Sequence, residues 1–207
     1  MAFELAAQRV HVLSPTYEDL FSLYGIETPD TIHGIGKAVE EAINHILVNV
    51  GVGADGNGTL VVRCGPHGMY IGTRWGGISW TPCYYPQDSL RVKDLTGACD
   101  AFLGGFVAGL KITDGNPYDA ALYGSVSASF VVEQYGLPCL TPSPTQSPIG
   151  SPLDFHPQIC HTTLPSPVLA IQNAARARCL RAATGREMWN SDRPQRRLEL
   201  LRLRAAM

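Results

Sequence analysis

The stretch from Thr59 to Thr73 constrains this chain more than any other. Thr59 to Arg63 is a β-branched run, Gly65-Pro66-His67-Gly68 is a turn by composition, and Met69 to Thr73 is a second run of strand formers. Two short runs of this kind around a Gly- and Pro-containing turn predict a β-hairpin. A lone hairpin is marginal in water, so neighbouring segments must cover it. Upstream, Val10 to Leu13 is a short apolar run that meets Ser14-Pro15, as a buried strand does where it enters a loop. Glu18 to Tyr24 predicts a short helix stopped by Gly25. Val39, Ile43, Ile46 or Leu47, and Val50 recur at helical spacing, and Gly51 to Gly58 is a glycine-rich turn. Downstream, Val92 leads through Asp94 to Gly97 into a helix from about Ala98 to Leu110. Asn116 caps and Pro117 opens another, expected to run to Tyr135 and stop at Gly136. Strand, helix, hairpin, helix, helix is the order of a layered α/β domain, with Val10–Leu13 and Thr59–Arg63 parallel in one sheet. Trp75, Trp80, Tyr84 and Tyr85 are expected to pack in the sheet and core.

This core occupies residues 1–140. From Pro138 to Pro167 the sequence is dense in Pro, Ser and Thr, which predicts an irregular linker over 141–167. Residues 168–207 carry nine Arg against Glu187, Asp192 and Glu199. Val168 to Ala183 and Pro194 to Ala206 are expected as Arg-rich helices with a solvated basic face, Asp192 capping the second. A net charge of -2 argues against nucleic acid as a partner. No apolar run approaches the roughly 20 residues that span a bilayer. The six cysteines form no C-x-x-C pair, and no signal peptide is evident in MAFELAAQRV. Reduced thiols in a cytoplasmic protein are the expectation.

Chemistry concentrates in Asp94-Leu95-Thr96-Gly97-Ala98-Cys99-Asp100-Ala101-Phe102-Leu103-Gly104-Gly105-Phe106. Small residues opening a helix leave backbone N–H groups unpaired and uncrowded, and with the helix dipole these make an anion site. An Asp in the same turn can take the proton of a hydroxyl that attacks phosphate. The same Asp could equally be a first-turn carboxylate that complements the dipole. The residues alone leave both open.

This segment resembles the second signature of the PfkB carbohydrate kinases, D-T-x-G-A-G-D-x-F-x-G-G-F. Ser14-Pro15-Thr16-Tyr17-Glu18-Asp19-Leu20 resembles the family's S-P-N-x-E-E-L, and Arg63-Cys64-Gly65-Pro66-His67-Gly68 resembles its T-x-G-x-x-G nucleotide loop. Ala121 to Gly136 resembles the helix bordering the adenine site, in wording closest to a fungal branch that includes the yeast killer-virus maintenance proteins. The resemblance covers about Val10 to Pro138. It implies an α/β, ribokinase-like layered α/β/α sheet, incomplete because the N-terminal substrate half is absent, followed by the Pro-rich linker and helical tail. It also implies transfer of the ATP γ-phosphate to a hydroxyl of a small sugar or nucleoside-like substrate, with magnesium. The alternative is a kinase-fold relic that binds nucleotide or a partner without catalysis, and an oligomer is compatible with either.

Residue by residue, the resemblance makes Asp100 the base and the N–H groups of Gly97, Ala98 and Cys99 the anion hole. Gly65, Gly68, Arg63 and Thr16 fall at nucleotide positions. Asp19 falls where a carboxylate helps organise magnesium and phosphates, and Asp94 falls near a monovalent-cation position. Three substitutions depart from the pattern: Cys99 for Gly, Thr16 for Asn and Arg63 for Thr.

Overall fold

The computed structural model describes residues 2–86, 89–138, 140–141, 188–190 and 192–207. Helix α1 (Ala2–Ala7) precedes strand β1 (Val12–Leu13) and helix α2 (Tyr17–Tyr24). Helix α3 (Ile32–His45) runs into a π-turn (Ile46–Val50), followed by β2 (Thr59–Arg63), a 3-10 turn (Gly65–His67), β3 (Met69–Thr73) and β4 (Gly77–Thr81). Then come α4 (Ala98–Ile112), α5 (Pro117–Val131), β5 (Leu140–Thr141), β6 (Met188–Trp189) and α6 (Pro194–Ala205).

The first four strands form one sheet in the order β1-β2-β3-β4. Val12 pairs with Thr59 in parallel, and Val61 faces Ile71 across the antiparallel hairpin. The expected parallel pair and hairpin are therefore both present. Alternation along β2 divides the core. Leu60 and Val62 face Leu20, Phe21, Val39 and Ile43 of α2 and α3. Val61, with Met69 and Ile71 of β3, faces Phe102 and Phe106 of α4 and Ala120 and Ala121 of α5. Both faces of the sheet are covered, which is the layered α/β/α arrangement the resemblance implies.

Local signals explain the helix ends. Thr16 and Asp19 form a capping box on α2, which Gly25 terminates in the left-handed conformation. The Asn116 side chain accepts from the amides of Tyr118 and Asp119 to cap α5. Helices α4 and α5 meet backbone to backbone: a Cβ on Gly105 would lie 2.6 Å from the Ser127 Cβ, and one on Gly109 2.9 Å from the Ala120 Cα.

Several expectations are corrected. Helix α5 ends at Val131, short of Tyr135, because the Val132 carbonyl accepts from the amides of Lys93 and Asp94. Strand β4 was not foreseen. It is the sheet edge, and its Trp80 is 50% exposed while Trp75 in the preceding turn is 82% exposed, so neither tryptophan is a core residue. Tyr84 is buried, as expected. Asp192 does not cap α6. Its carboxylate accepts from Arg197 Nε at 2.9 Å, and Arg193 stands at the cap position. The tail helix has an exposed face, with Arg196, Arg202 and Arg204, and a buried one. Arg197 is 1% exposed, and Leu198 and Leu201 pack with Tyr84, Leu122, Val126 and Phe130. The linker from 142 and the helix expected at 168–183 lie outside the described residues, as do Cys139, Cys160 and Cys179. Among the described cysteines, Cys64, Cys83 and Cys99 are free thiols. Burial pushes the Cys64 thiol up to about 12, which makes it chemically inert.

Candidate active site

Where α4 points is fixed by its partner. The Tyr118 hydroxyl, at the start of α5, donates to the Gly77 carbonyl at 3.0 Å, beside Thr73. Thr73 pairs with Thr59, so the start of α5 sits at the end of the sheet where β2 begins. Gly109, near the end of α4, lies against Ala120, so the two helices run antiparallel. The start of α4 and the end of α5 therefore lie together at the opposite end, toward Arg63. The bonds from Lys93 and Asp94 to the Val132 carbonyl join the same two ends. The N-terminus of α4 thus opens at the carboxyl ends of β1 and β2, where open α/β sheets bind ligands.

Gly97 stands at the N-cap of α4 with φ 79°, a left-handed conformation that favours glycine. The Ala98 amide is already spent on the Leu95 carbonyl at 3.1 Å, which removes it from the expected anion hole. Among the described residues the amides of Gly97, Cys99 and Asp100 have no backbone acceptor, so the expected Gly97 and Cys99 donors are unspent and the Asp100 amide joins them. The Asp100 carboxylate is exposed in the same turn. Cys99 is exposed as well and takes helical geometry without a positive φ, so replacing Gly at this position leaves the backbone unstrained.

The remaining expected residues fall into three pairs. Gly65 and Gly68 bracket the 3-10 turn after β2. A Cβ on Gly68, at φ 88°, would fall 2.4 Å from the Thr81 carbonyl oxygen, so the position admits only glycine. Thr16 and Arg63 lie side by side in a parallel bridge, and the Arg63 amide donates to the Pro15 carbonyl at 3.1 Å. Asp19 and Asp94 are each engaged locally. Asp19 Oδ2 accepts from the Thr16 hydroxyl at 2.8 Å. Asp94 accepts from the Thr96 amide at 2.9 Å, and the Thr96 hydrogen bonds hold its carboxyl below the usual range. Among the described residues no three His, Cys, Asp or Glu side chains gather as metal ligands. Sequence reasoning gave Ser14 no role, although it is the Ser of the segment that resembles S-P-N-x-E-E-L. Its hydroxyl is buried with no partner beside Arg63.

The sequence pattern described as pfkB family carbohydrate kinase matches residues 3–144, more than half of the chain. The chain belongs to this family. Among curated members it is similar to protein MAK32 of Saccharomyces cerevisiae, at 27% identity over 137 residues, covering 63% of this chain and 35% of that protein. It is also similar to uncharacterized protein C16C9.01c of Schizosaccharomyces pombe, at 28% identity over 142 residues, covering 63% of this chain and 38% of that protein. The chain thus spans little more than a third of the length of these pfkB relatives. The apo structure of Trypanosoma brucei brucei adenosine kinase aligns with TM-score 0.51 at 19% identity, covering 64% of this chain and 38% of that one. That likeness shows the fold, a partial ribokinase-like α/β/α layer. No helix among the described residues is long and apolar enough to cross a membrane.

Proposed function

We propose that this pfkB chain carries the nucleotide-binding and phosphoryl-transfer portion of an ATP-dependent kinase. The substrate would be the hydroxyl of a sugar or nucleoside-like molecule. One observation carries the reading. An exposed carboxylate, Asp100, shares its helical turn with unspent amides at the carboxyl ends of a parallel strand pair. The hydroxyl oxygen would attack the γ-phosphorus while its proton passes to the Asp100 carboxylate. The bond from the γ-phosphorus to the bridging oxygen breaks, and ADP leaves. The amides of Cys99 and Asp100 would face the charge that develops on the transferred group.

Magnesium fits this donor set as an ion carried mainly by phosphate oxygens, because it keeps its waters and needs only one or two carboxylates. Asp19, at the start of α2 next to the strand ends, is the residue that would hold it. Its chemistry would be to offset phosphate charge. Asp94 is the corresponding candidate for a monovalent cation. Gly65 and Gly68 shape the turn against which the nucleotide would lie.

A second reading, a nucleotide-binding protein without catalysis, has one observation behind it. The Cys99 side chain stands exposed on the turn where the phosphate must approach. Titration calorimetry with ATP and magnesium tests binding, and heat is expected at or below millimolar ligand. Asp100→Asn should bind ATP at least as tightly, because a negative charge beside the phosphates is gone, while ADP release over a panel of sugars and nucleosides should vanish. No heat at millimolar ATP would leave only family and fold. ADP release unchanged by Asp100→Asn would remove the proposed base.

A further inference from the structure

Arg63 closes β2 on the face that carries Val61, the side covered by α4 and α5. Of its guanidinium nitrogens, Nη2 donates to the Ser14 carbonyl at 2.8 Å. Nε and Nη1 are shielded from solvent and have no partner, and the neighbouring Ser14 hydroxyl is shielded and unpartnered as well. Among the described residues no carboxylate forms an ion pair with Arg63. The Asp19 carboxylate is given to Thr16. A guanidinium is always charged and presents its donors in a fixed fork. Donors left shielded and unmatched are costly, and such a cluster calls for an explanation, of which a functional role or a bound water or ion are the usual ones. Three donors from two adjacent strand ends, with one fixed positive charge and no counterion, suit an oxyanion with several acceptor oxygens. The residue keeps part of its surface open to solvent.

The geometry points to Arg63, seconded by the Ser14 hydroxyl, as a fixed cationic clamp for the phosphate chain of a nucleoside di- or triphosphate. This deepens the proposed function and rests on it for the nucleotide. The consequence is specific to this chain, in which Arg63 stands where the family motif has Thr. Charge that a divalent cation would otherwise neutralise is matched in part by the protein, so nucleotide binding should persist when divalent cations are withheld.

The test is calorimetry on the full chain in EDTA and again in magnesium, with AMP, ADP and tripolyphosphate as probes. In EDTA the wild-type chain should bind ADP at least about tenfold tighter than AMP. Arg63→Thr should weaken ADP about tenfold and AMP less than about twofold, Arg63→Lys should fall between, and Ser14→Ala should cost a few-fold. Added magnesium should recover much of the Arg63→Thr loss. Equal ADP binding by wild type and Arg63→Thr in EDTA overturns the clamp and leaves the kinase reading intact. Tripolyphosphate binding that depends on Arg63, with no binding of any adenine nucleotide, upholds the clamp and overturns the kinase reading. Absence of both kinds of binding overturns both. Circular dichroism of Arg63→Thr and Arg63→Lys separates lost binding from lost fold.

Discussion

Arg197 is buried and Arg63 is half-buried with two of its guanidinium nitrogens shielded, and they are treated in opposite ways. Every nitrogen of Arg197 is matched: Nε to Asp192, Nη1 to Ser129 and Nη2 to Glu133, at 2.9, 2.9 and 2.8 Å. Its guanidinium carbon lies 3.7 Å from the centre of the Phe130 ring, and Tyr84 and Tyr85 flank it. Glu133 in turn accepts from the Tyr85 hydroxyl and from Asn190. Among the described residues the Arg63 guanidinium has one carbonyl and nothing else. A cation whose valences are all filled holds structure together. A cation with valences left over is provisioned for something that comes and goes. The clasp of the tail onto α5 is the first kind, and the strand-end site is the second.

The largest expected effect falls on the clasp. Arg197→Ala strands Glu133 and Asp192 around an empty space, and breaking a buried pair from one side costs about 3–5 kcal/mol. Urea denaturation at neutral pH measures it, and a loss no larger than that of an exposed arginine would erase the contrast between Arg197 and Arg63. The clasp also sets an acid limit. Burial alone would raise the Glu133 carboxyl, yet bonds from Tyr85, Asn190 and Arg197 together hold it below its ordinary value. A depressed carboxyl contributes stability above its unfolded value and loses that contribution as pH falls through the folded one. Wild type should therefore weaken below pH about 4.3, and Arg197→Ala should show a flatter acid limb over the same range. Thr16→Ala removes the α2 cap at the site side and should cost about 1 kcal/mol in thermal or urea denaturation. Arg63→Ala should fall last, within about 0.5 kcal/mol of wild type or slightly stabilising, since it deletes unmatched donors. A loss of several kcal/mol there would make Arg63 a structural arginine like Arg197.

What could be read from the sequence follows from how local each cause is. The hairpin, the Gly25 stop and the Asn116–Pro117 opening depend on residues within a few positions of one another, and each appears as expected. The opening of α4 at Gly97 is local too. The Ala98 amide is not, because its acceptor depends on how Leu95 turns in the loop. Strand β4 carries its signal in Ile78 and Trp80, yet an edge strand half open to water looks like a loop by composition. The clasp was invisible for a different reason. Glu133 and Arg197 are 64 positions apart, and an Arg-rich helix gives no sign of which arginine turns inward. Arg63 was visible as a departure from the family motif, but its unmatched donors belong to the packing of β1 against β2.

The bare-backbone seam between α4 and α5 has a mechanical consequence. Where helices meet through long side chains, rotamers absorb small displacements. At Gly105, Gly109 and Gly124 there is no such cushion, because Ser127, Ala120 and Phe102 already occupy the space a side chain would need. The pair should move as one stiff rod. The tail helix grips one side of that rod through Arg197, and the turn bearing Asp100 is its tip. A tug on the tail is thereby transmitted to the tip undamped, and slack in the Arg197 grip would appear as wobble at Asp100.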